Sequence, residues 1–181
     1  MASYSRKAIE SYVKLRLANR IVCDFTHCQR VWKLARKLGT QKFDEDILHA
    51  AAFLHDISLA KDHEKRSADI AARVLRRYMD PADIYRVQEA IKNHTITGKP
   101  KSVEAILIHD ADLLDYLGAE GFVRLSLAAA HWHNKTDPKE ILKYISNMKR
   151  QIGAKLVLKH SKSIAADKML AMEYLINVKE D

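Results

Sequence analysis

Chain breakers are scarce in this sequence: 5 glycines and 3 prolines among 181 residues. A sheet protein of that length needs a turn every few residues, so the scarcity argues against an all-β fold. Cysteine is nearly absent too. Cys23 and Cys28 lie close together near the start of one helical pattern and do not form a C-x-x-C pair, which leaves zinc-ribbon and thioredoxin readings without support. Two thiols in a chain of this size point to a reducing compartment. No apolar run approaches the roughly 20 residues that cross a bilayer. The stretch Met1 to Lys7 lacks the apolar core of a signal peptide. The expectation is a cytoplasmic protein with no membrane partner. Carboxylates are missing from one long segment, Tyr144 to Ala166, in which Lys149, Arg150, Lys155, Lys159 and Lys162 all occur.

What is present favours helix. Leu, Ala, Ile, Lys, Arg and Glu dominate. A hydrophobic fraction of 48% with 30% charged residues is that of an ordinary globular chain, large enough to bury a core. The formal net charge of +8 favours polyanions: nucleotides, nucleic acid or anionic surfaces. The late basic stretch reads either as a solvated face or as a phosphate-attracting one.

Periodicity divides the chain into a string of helices. The first is expected over about Ser5 to Cys23. The second runs from Asp24–Thr26 to Gly39, a residue suited to the left-handed position after a helix. His27, Val31, Leu34, Ala35 and Leu38 share its apolar face. Asp44 caps a third helix, on which Ile47, Ala51, Leu54 and His55 form one stripe. A fourth begins near Asp62. Asp80-Pro81 starts a fifth with an acceptor at the cap and proline at the first position; it ends near His94. Ser102 caps a sixth that stops at Gly118, and a seventh spans about Glu120 to His131. Asp137-Pro138-Lys139-Glu140 starts an eighth, ending at Gly153. The last spans roughly Ser163 to Val178. No segment alternates as a strand does, so the fold class is all-α, a helical bundle.

Histidines and aspartates recur at the helix edges. His27, the adjacent His55-Asp56, and Asp112 in His109-Asp110-Ala111-Asp112 stand out. Neutral imidazole and ionised carboxylate are ligands that a first-row divalent cation accepts. His55 and Asp56 project about 100° apart on a helix. Both reach one ion only if it sits in a cleft beside that helix end, with His27 and Asp112 arriving from other helices. Singly, each residue also reads as a hydrogen-bonded core or surface group.

Taken together, the order His27, His55-Asp56, Asp112 resembles the H…HD…D signature of the HD-domain metal-dependent phosphohydrolases. His27-Cys-Gln-Arg30-Val31 is similar to the family's H-x-x-R-V helix start. Ala50-Ala-Ala-Phe-Leu54-His55-Asp56-Ile57 resembles its A-x-L-H-D-I segment. The run from Glu104-Ala105 through Asp110-Ala111-Asp112 to Asp115 and Gly118 resembles the E-A-x-x-x-x-D-A-D-x-L-D-x-x-G segment of small bacterial HD proteins. His63-Glu-Lys-Arg-Ser67-Ala68, Ile91-Lys-Asn-His94 and the closing segment from Ser161 to Leu175 fit the same subgroup, so the likeness covers most of the chain.

The resemblance implies a single HD-type helical domain, with a core at roughly 20–130 and a C-terminal helical extension at 137–178. It implies a divalent metal held by His27, His55, Asp56 and Asp112, the last preferred to Asp110 because it matches the family's A-D-x-L element. The metal could be Mn, Mg, Fe, Co, Ni or Zn. His63 and His94 sit where bimetallic members carry further histidines, and so are candidates for a second ion or for phosphate binding. Lys61, Arg30 and Arg66 are candidates to neutralise a substrate phosphate. Lys or Glu stands three or four residues after the Asp in some subfamilies; here those positions are Leu59 and Ala60. The general acid therefore stays open among His94, His63 and Lys61.

The implied function is metal-dependent hydrolysis of a nucleotide or similar small phosphate ester through a metal-activated water. A non-catalytic nucleic-acid-binding or regulatory module is the alternative, favoured by the charge. A di-iron oxygenase of the same fold is a third. His131-Trp132-His133 is set aside because residues two apart do not face one way on a helix. His49 and His160 are expected at the solvent, and Tyr116 and Phe122 in packing or against a base.

Overall fold

A computed structural model describes residues 4–177. Among them it holds nine helices and no strand, the all-α class expected: α1 (Arg6–Arg16), α2 (Phe25–Leu38), α3 (Glu45–Leu54), α4 (His63–Leu75), α5 (Pro81–Lys92), α6 (Val103–Asp115), α7 (Gly118–His133), α8 (Pro138–Lys155) and α9 (Lys159–Asn177). The end expected for the last helix, Val178, lies outside the described residues. No helix among those described is long and apolar enough to cross a membrane.

The chain forms two compact units, Met1–Asp112 and Leu113–Asp181. In the first, α3 is the central element and packs against α1, α2, α4 and α5. Its sequence explains why. Every residue from Ile47 to Leu54 is buried, and a helix that is apolar on all sides has to be surrounded. His49 lies within that run and is wholly buried, which corrects the expectation that it faces solvent. Its ring stacks on Phe53 with centroids 4.5 Å apart, and its two nitrogens meet the Tyr4 hydroxyl at 2.7 Å and Glu10 Oε1 at 3.0 Å. His160 is exposed, as expected.

Capping sets the helix starts. Asp24 accepts from the His27 N–H, Asp44 from Asp46 and Ile47, and Asp80 from Asp83. Ser102 Oγ accepts from the Ala105 N–H at 3.2 Å. α1 ends at Arg16, well short of Cys23, because the chain turns there; Cys23 itself has a left-handed φ of 55°. Gly39 does not take the left-handed conformation expected of it, with φ −67° and ψ 103°. The position needs glycine for room instead, since a Cβ would run into the Phe43 ring. α9 starts at Lys159, one turn before Ser163.

In the second unit α7, α8 and α9 pack on one another. Leu125, Ala129, Ile145, Ile152, Ala165 and Met172 fill the space between them. Gly118 opens α7 with φ +82°, a conformation that side chains rarely adopt. Arg124 forms a buried pair with the Asp115 carboxylate and lies over the Tyr116 ring at 4.4 Å. Tyr116 thus has a packing role. His131, Trp132 and His133 are exposed at the end of α7.

Candidate functional site

All six histidines and aspartates singled out in the sequence meet inside the first unit. His27 sits in the opening turn of α2, where the Asp24 cap fixes its backbone N–H at 2.9 Å. Burial opposes charge on Asp24, yet bonds from His27 N–H and the Thr26 hydroxyl hold its carboxyl below the usual range. His55 caps the C-terminal end of α3, and Asp56 follows it in the next turn. Two groups hold this turn in place. The Arg20 guanidinium donates to the Asp56 carbonyl and, at 2.8 Å, to that of Ile57. The Ser58 N–H donates to Ser67 Oγ on α4 at 3.1 Å. Asp112 comes from α6, His63 opens α4, and His94 lies just past α5.

The polar atoms converge. His27 Nε2 lies 3.0 Å from His55 Nε2, 3.3 Å from Asp112 Oδ1 and 3.7 Å from Asp56 Oδ2. His55 Nε2 is 3.5 Å from Asp56 Oδ2 and 3.7 Å from Asp112 Oδ1. On the other side of Asp56, its Oδ1 faces His94 Nε2 at 3.5 Å and His63 Nε2 at 3.6 Å. His27, His55, Asp56, His94 and Asp112 are buried; His63 is half-buried.

Tautomers decide what this cluster wants. His55 Nδ1 meets the Ala52 carbonyl at 2.9 Å, and His94 Nδ1 meets that of Ile91 at 2.5 Å. A carbonyl only accepts, so both Nδ1 atoms carry the proton. In the neutral rings Nε2 therefore keeps its lone pair. Those lone pairs face carboxylate oxygens. Asp112 Oδ1, moreover, is buried without a hydrogen bond. Lone pairs and an unsatisfied carboxylate oxygen pointing at one spot repel each other unless a cation lies between them. The residues therefore fit a divalent ion with nitrogen and oxygen ligands. Among the described residues, three groups have atoms close enough to hold one: His27–His55–Asp112, His55–Asp56–His94 and Cys23–His27–Asp56.

The two carboxylates stay ionised in this setting. Burial opposes charge on Asp56 and Asp112, but the facing histidines win and hold both carboxyls well below the usual range. Burial also opposes a proton on His94, and Asp56 outweighs it, so this ring titrates above an ordinary histidine. For His63 burial wins, and it titrates lower.

Arg30 reaches Thr26 Oγ1 at 3.2 Å and lowers the Asp24 carboxyl by its charge, a position at the α2 start. Lys61 and Arg66 are exposed on either side of His63. Asp110, two residues from Asp112, is buried and takes a 2.9 Å contact from His109 Nδ1. Sequence reasoning missed Arg20 and Cys23. Nothing in the sequence marks Arg20 apart from any surface arginine, and Cys23 becomes visible only through its backbone conformation.

Comparison with known proteins gives the family and the fold. A family model described as HD domain matches residues 24–117. No curated protein matches the chain. Among solved structures, a Lactobacillus plantarum protein superposes with a TM-score of 0.79 at 22% identity, covering 95% of this chain and 93% of that one. Bacillus subtilis YpgQ in complex with ADP gives 0.75 at 23% identity, covering 94% and 90%. An HD-superfamily hydrolase from Bacillus thuringiensis gives 0.73 at 24% identity, covering 94% and 92%. At these identities the likeness is one of fold.

Proposed function

The chain belongs to the HD domain family, and from that premise we propose that it is a divalent-metal-dependent phosphohydrolase acting on a nucleotide or a similar small phosphate ester. The observation that carries the reading is the convergence of imidazole nitrogens and carboxylate oxygens on one buried point, with Asp112 Oδ1 left without a hydrogen bond. In this reading His27, His55, Asp56 and Asp112 are the metal ligands. A divalent ion held there would supply an activated water and polarise the phosphoryl oxygens.

The protein's own groups do the rest. The carbonyls of Ala52 and Ile91 keep the His55 and His94 rings in one tautomer and one orientation. Arg20 holds the His55–Asp56 turn, so both side chains leave α3 in a fixed direction. His94 and His63 line the far side of Asp56 and are suited to bind a second ion or a substrate phosphate. His94, raised in proton affinity by Asp56, is the first candidate to protonate a leaving oxygen. The exposed Lys61 and Arg66 offer charge to an approaching phosphate. The nucleotide class is supported by the ADP bound to the YpgQ neighbour and by the net charge of +8.

The test is phosphate and pyrophosphate release from a panel of nucleoside mono-, di- and triphosphates. The protein is stripped of metal and resupplied with Mn or Mg, with Asp56→Ala in parallel. Metal-dependent release by the wild type and none by the variant is expected. No release with any metal moves the weight to a regulatory or nucleic-acid-binding module. That second reading rests on the exposed Arg150, Lys155, Lys159 and Lys162 of the second unit, and its mark is salt-sensitive nucleic-acid binding that survives Asp56→Ala.

A further inference from the structure

Among the described residues, Cys23 is the one cysteine that joins a group able to hold a metal ion. Its Sγ, a nitrogen of His27 and an oxygen of Asp56 all lie within 4.8 Å of one another. It stands immediately before the Asp24 cap of α2, so the turn that fixes His27 also fixes the thiol. Cys23 adopts a φ of 55°, one of three non-glycine residues described with positive φ. A left-handed backbone is unfavourable for an ordinary side chain and persists where the surroundings hold it. The side chain is buried at 2% exposure, on the side of the turn that faces two metal-binding groups. Cys28 provides the contrast. It is equally buried, but its Sγ lies 3.7 Å from the Phe53 carbonyl within the packing of α2 on α3.

We propose that Cys23 is a thiolate ligand that, with His27 and Asp56, gives this centre a binding mode selective for thiophilic divalent ions such as Zn(II) and Co(II). The proposal rests on the metal-centre reading above and adds a ligand to it. Nitrogen and oxygen ligands alone leave the choice among first-row ions to geometry and supply. A thiolate shifts preference toward zinc and away from Mn(II) and Mg(II). In a tetrahedral site the ligand atoms lie roughly 3.5 Å apart, given Zn–S and Zn–N bonds of about 2.3 and 2.0 Å. A spread of up to 4.8 Å therefore closes with about 1 Å of side-chain movement. On binding, the S–H bond is exchanged for an S–metal bond and the proton leaves to solvent. The consequence is a centre with two ways of holding an ion. One uses His27, His55 and Asp112; the other draws the ion toward Cys23 and Asp56, where zinc displaces a harder ion.

Cobalt spectroscopy on the full-length, metal-stripped protein tests this without an activity assay. Co(II) bound by any of these ligands gives visible ligand-field bands, and only a thiolate adds a near-ultraviolet sulfur-to-cobalt charge-transfer band. Wild type is expected to show both. Cys23→Ser, and Cys23→Asn as a residue that tolerates the left-handed backbone, should keep the visible bands and lose the charge-transfer band. Cys28→Ser should retain it. Competition titrations should show Zn(II) affinity falling about 100-fold in Cys23→Ser, the upper end of the effect of removing a supporting group, with Mn(II) affinity changing far less. Visible bands without a charge-transfer band in wild type overturn the Cys23 assignment and leave the metal centre standing. A charge-transfer band that vanishes in Cys28→Ser and survives in Cys23→Ser overturns it as well. No cobalt bands of either kind, with Asp112→Ala indistinguishable from wild type, overturn the metal centre and this proposal together.

Discussion

Replacing Asp112 with asparagine keeps the shape of the side chain and removes its charge, and the effect is read best as the loss of a metal-induced rise in melting temperature. A ligand bound only by the folded state at 100 times its dissociation constant stabilises by about 2.7 kcal/mol. For a chain of this length each kcal/mol raises Tm by about 2–4 °C, so saturating Mn(II) should raise the wild-type Tm by about 5–11 °C. Asp112 Oδ1 is the buried oxygen without a hydrogen bond, 3.3 Å from His27 Nε2. If the Asn variant binds about 100-fold more weakly, the same Mn(II) concentration equals its dissociation constant and the stabilisation shrinks to about 0.4 kcal/mol, a shift of about 1 °C. Differential scanning fluorimetry with and without metal measures this, and any folding defect common to both conditions cancels in the difference. Asp110→Asn is the control. Its carboxylate is engaged by His109, so that variant should melt lower in both conditions and keep the full shift. A wild type whose Tm ignores Mn(II), or an Asp112→Asn protein that retains its shift while Asp110→Asn loses it, refutes the reasoning.

Other outcomes follow from packing and charge. Burial lowers the proton affinity of His49 against the pull of Glu10, so the unfolded chain takes up that proton more readily. The stability contributed by His49 is complete above its unfolded pKa of about 6.5 and fades as pH falls below it; urea melts of wild type and His49→Gln should diverge less at pH 5 than at pH 7.5. Phe53→Ala empties the space beneath the His49 ring and should cost about 3–5 kcal/mol in urea unfolding. In the second unit, Asp115→Ala removes the carboxylate paired with the buried Arg124 guanidinium and should cost about 3–5 kcal/mol by the same measurement. Gly121→Ala should destabilise by about 1–3 kcal/mol although alanine is the better helix former, because its Cβ would meet the Tyr116 backbone; an unchanged or raised Tm would refute that contact.

What the sequence conveyed, and what it withheld, divides along the line between local and tertiary causes. Helix starts were legible because a cap is a local device. Asp24, Asp44, Asp80, Ser102 and Asp137 each accept from N–H groups two or three residues on, and no distant contact is needed to see it. The convergence of His27, His55, Asp56 and Asp112 was legible through resemblance, since spacing in sequence says nothing of three helices meeting. Asp110 and Asp112 show how narrow that information is. They are two residues apart on α6, about 200° around the helix, and only the packing of the first unit turns Asp112 toward His27 while Asp110 is held by His109. His49 misled because a histidine in a helix ordinarily seeks water, whereas α3 is enclosed by four other helices and leaves it none. The apolar run Ile47, Leu48, Ala50 to Leu54 held the clue, as no single face of that helix is polar enough to be a surface. Gly39 looked like a left-handed terminator, but its glycine answers to the Phe43 ring, a residue four positions on whose approach no local rule foresees. Cys23 is the deepest case. Its chemistry depends on a positive φ at a non-glycine residue, which no composition or period encodes, and that same backbone turn brings a sulfur to His27 and Asp56. A resemblance built on His27, His55, Asp56 and Asp112 thus singles out four candidate ligands by type and order, while the sulfur proposed to bias their choice of metal sits four residues before the first of them.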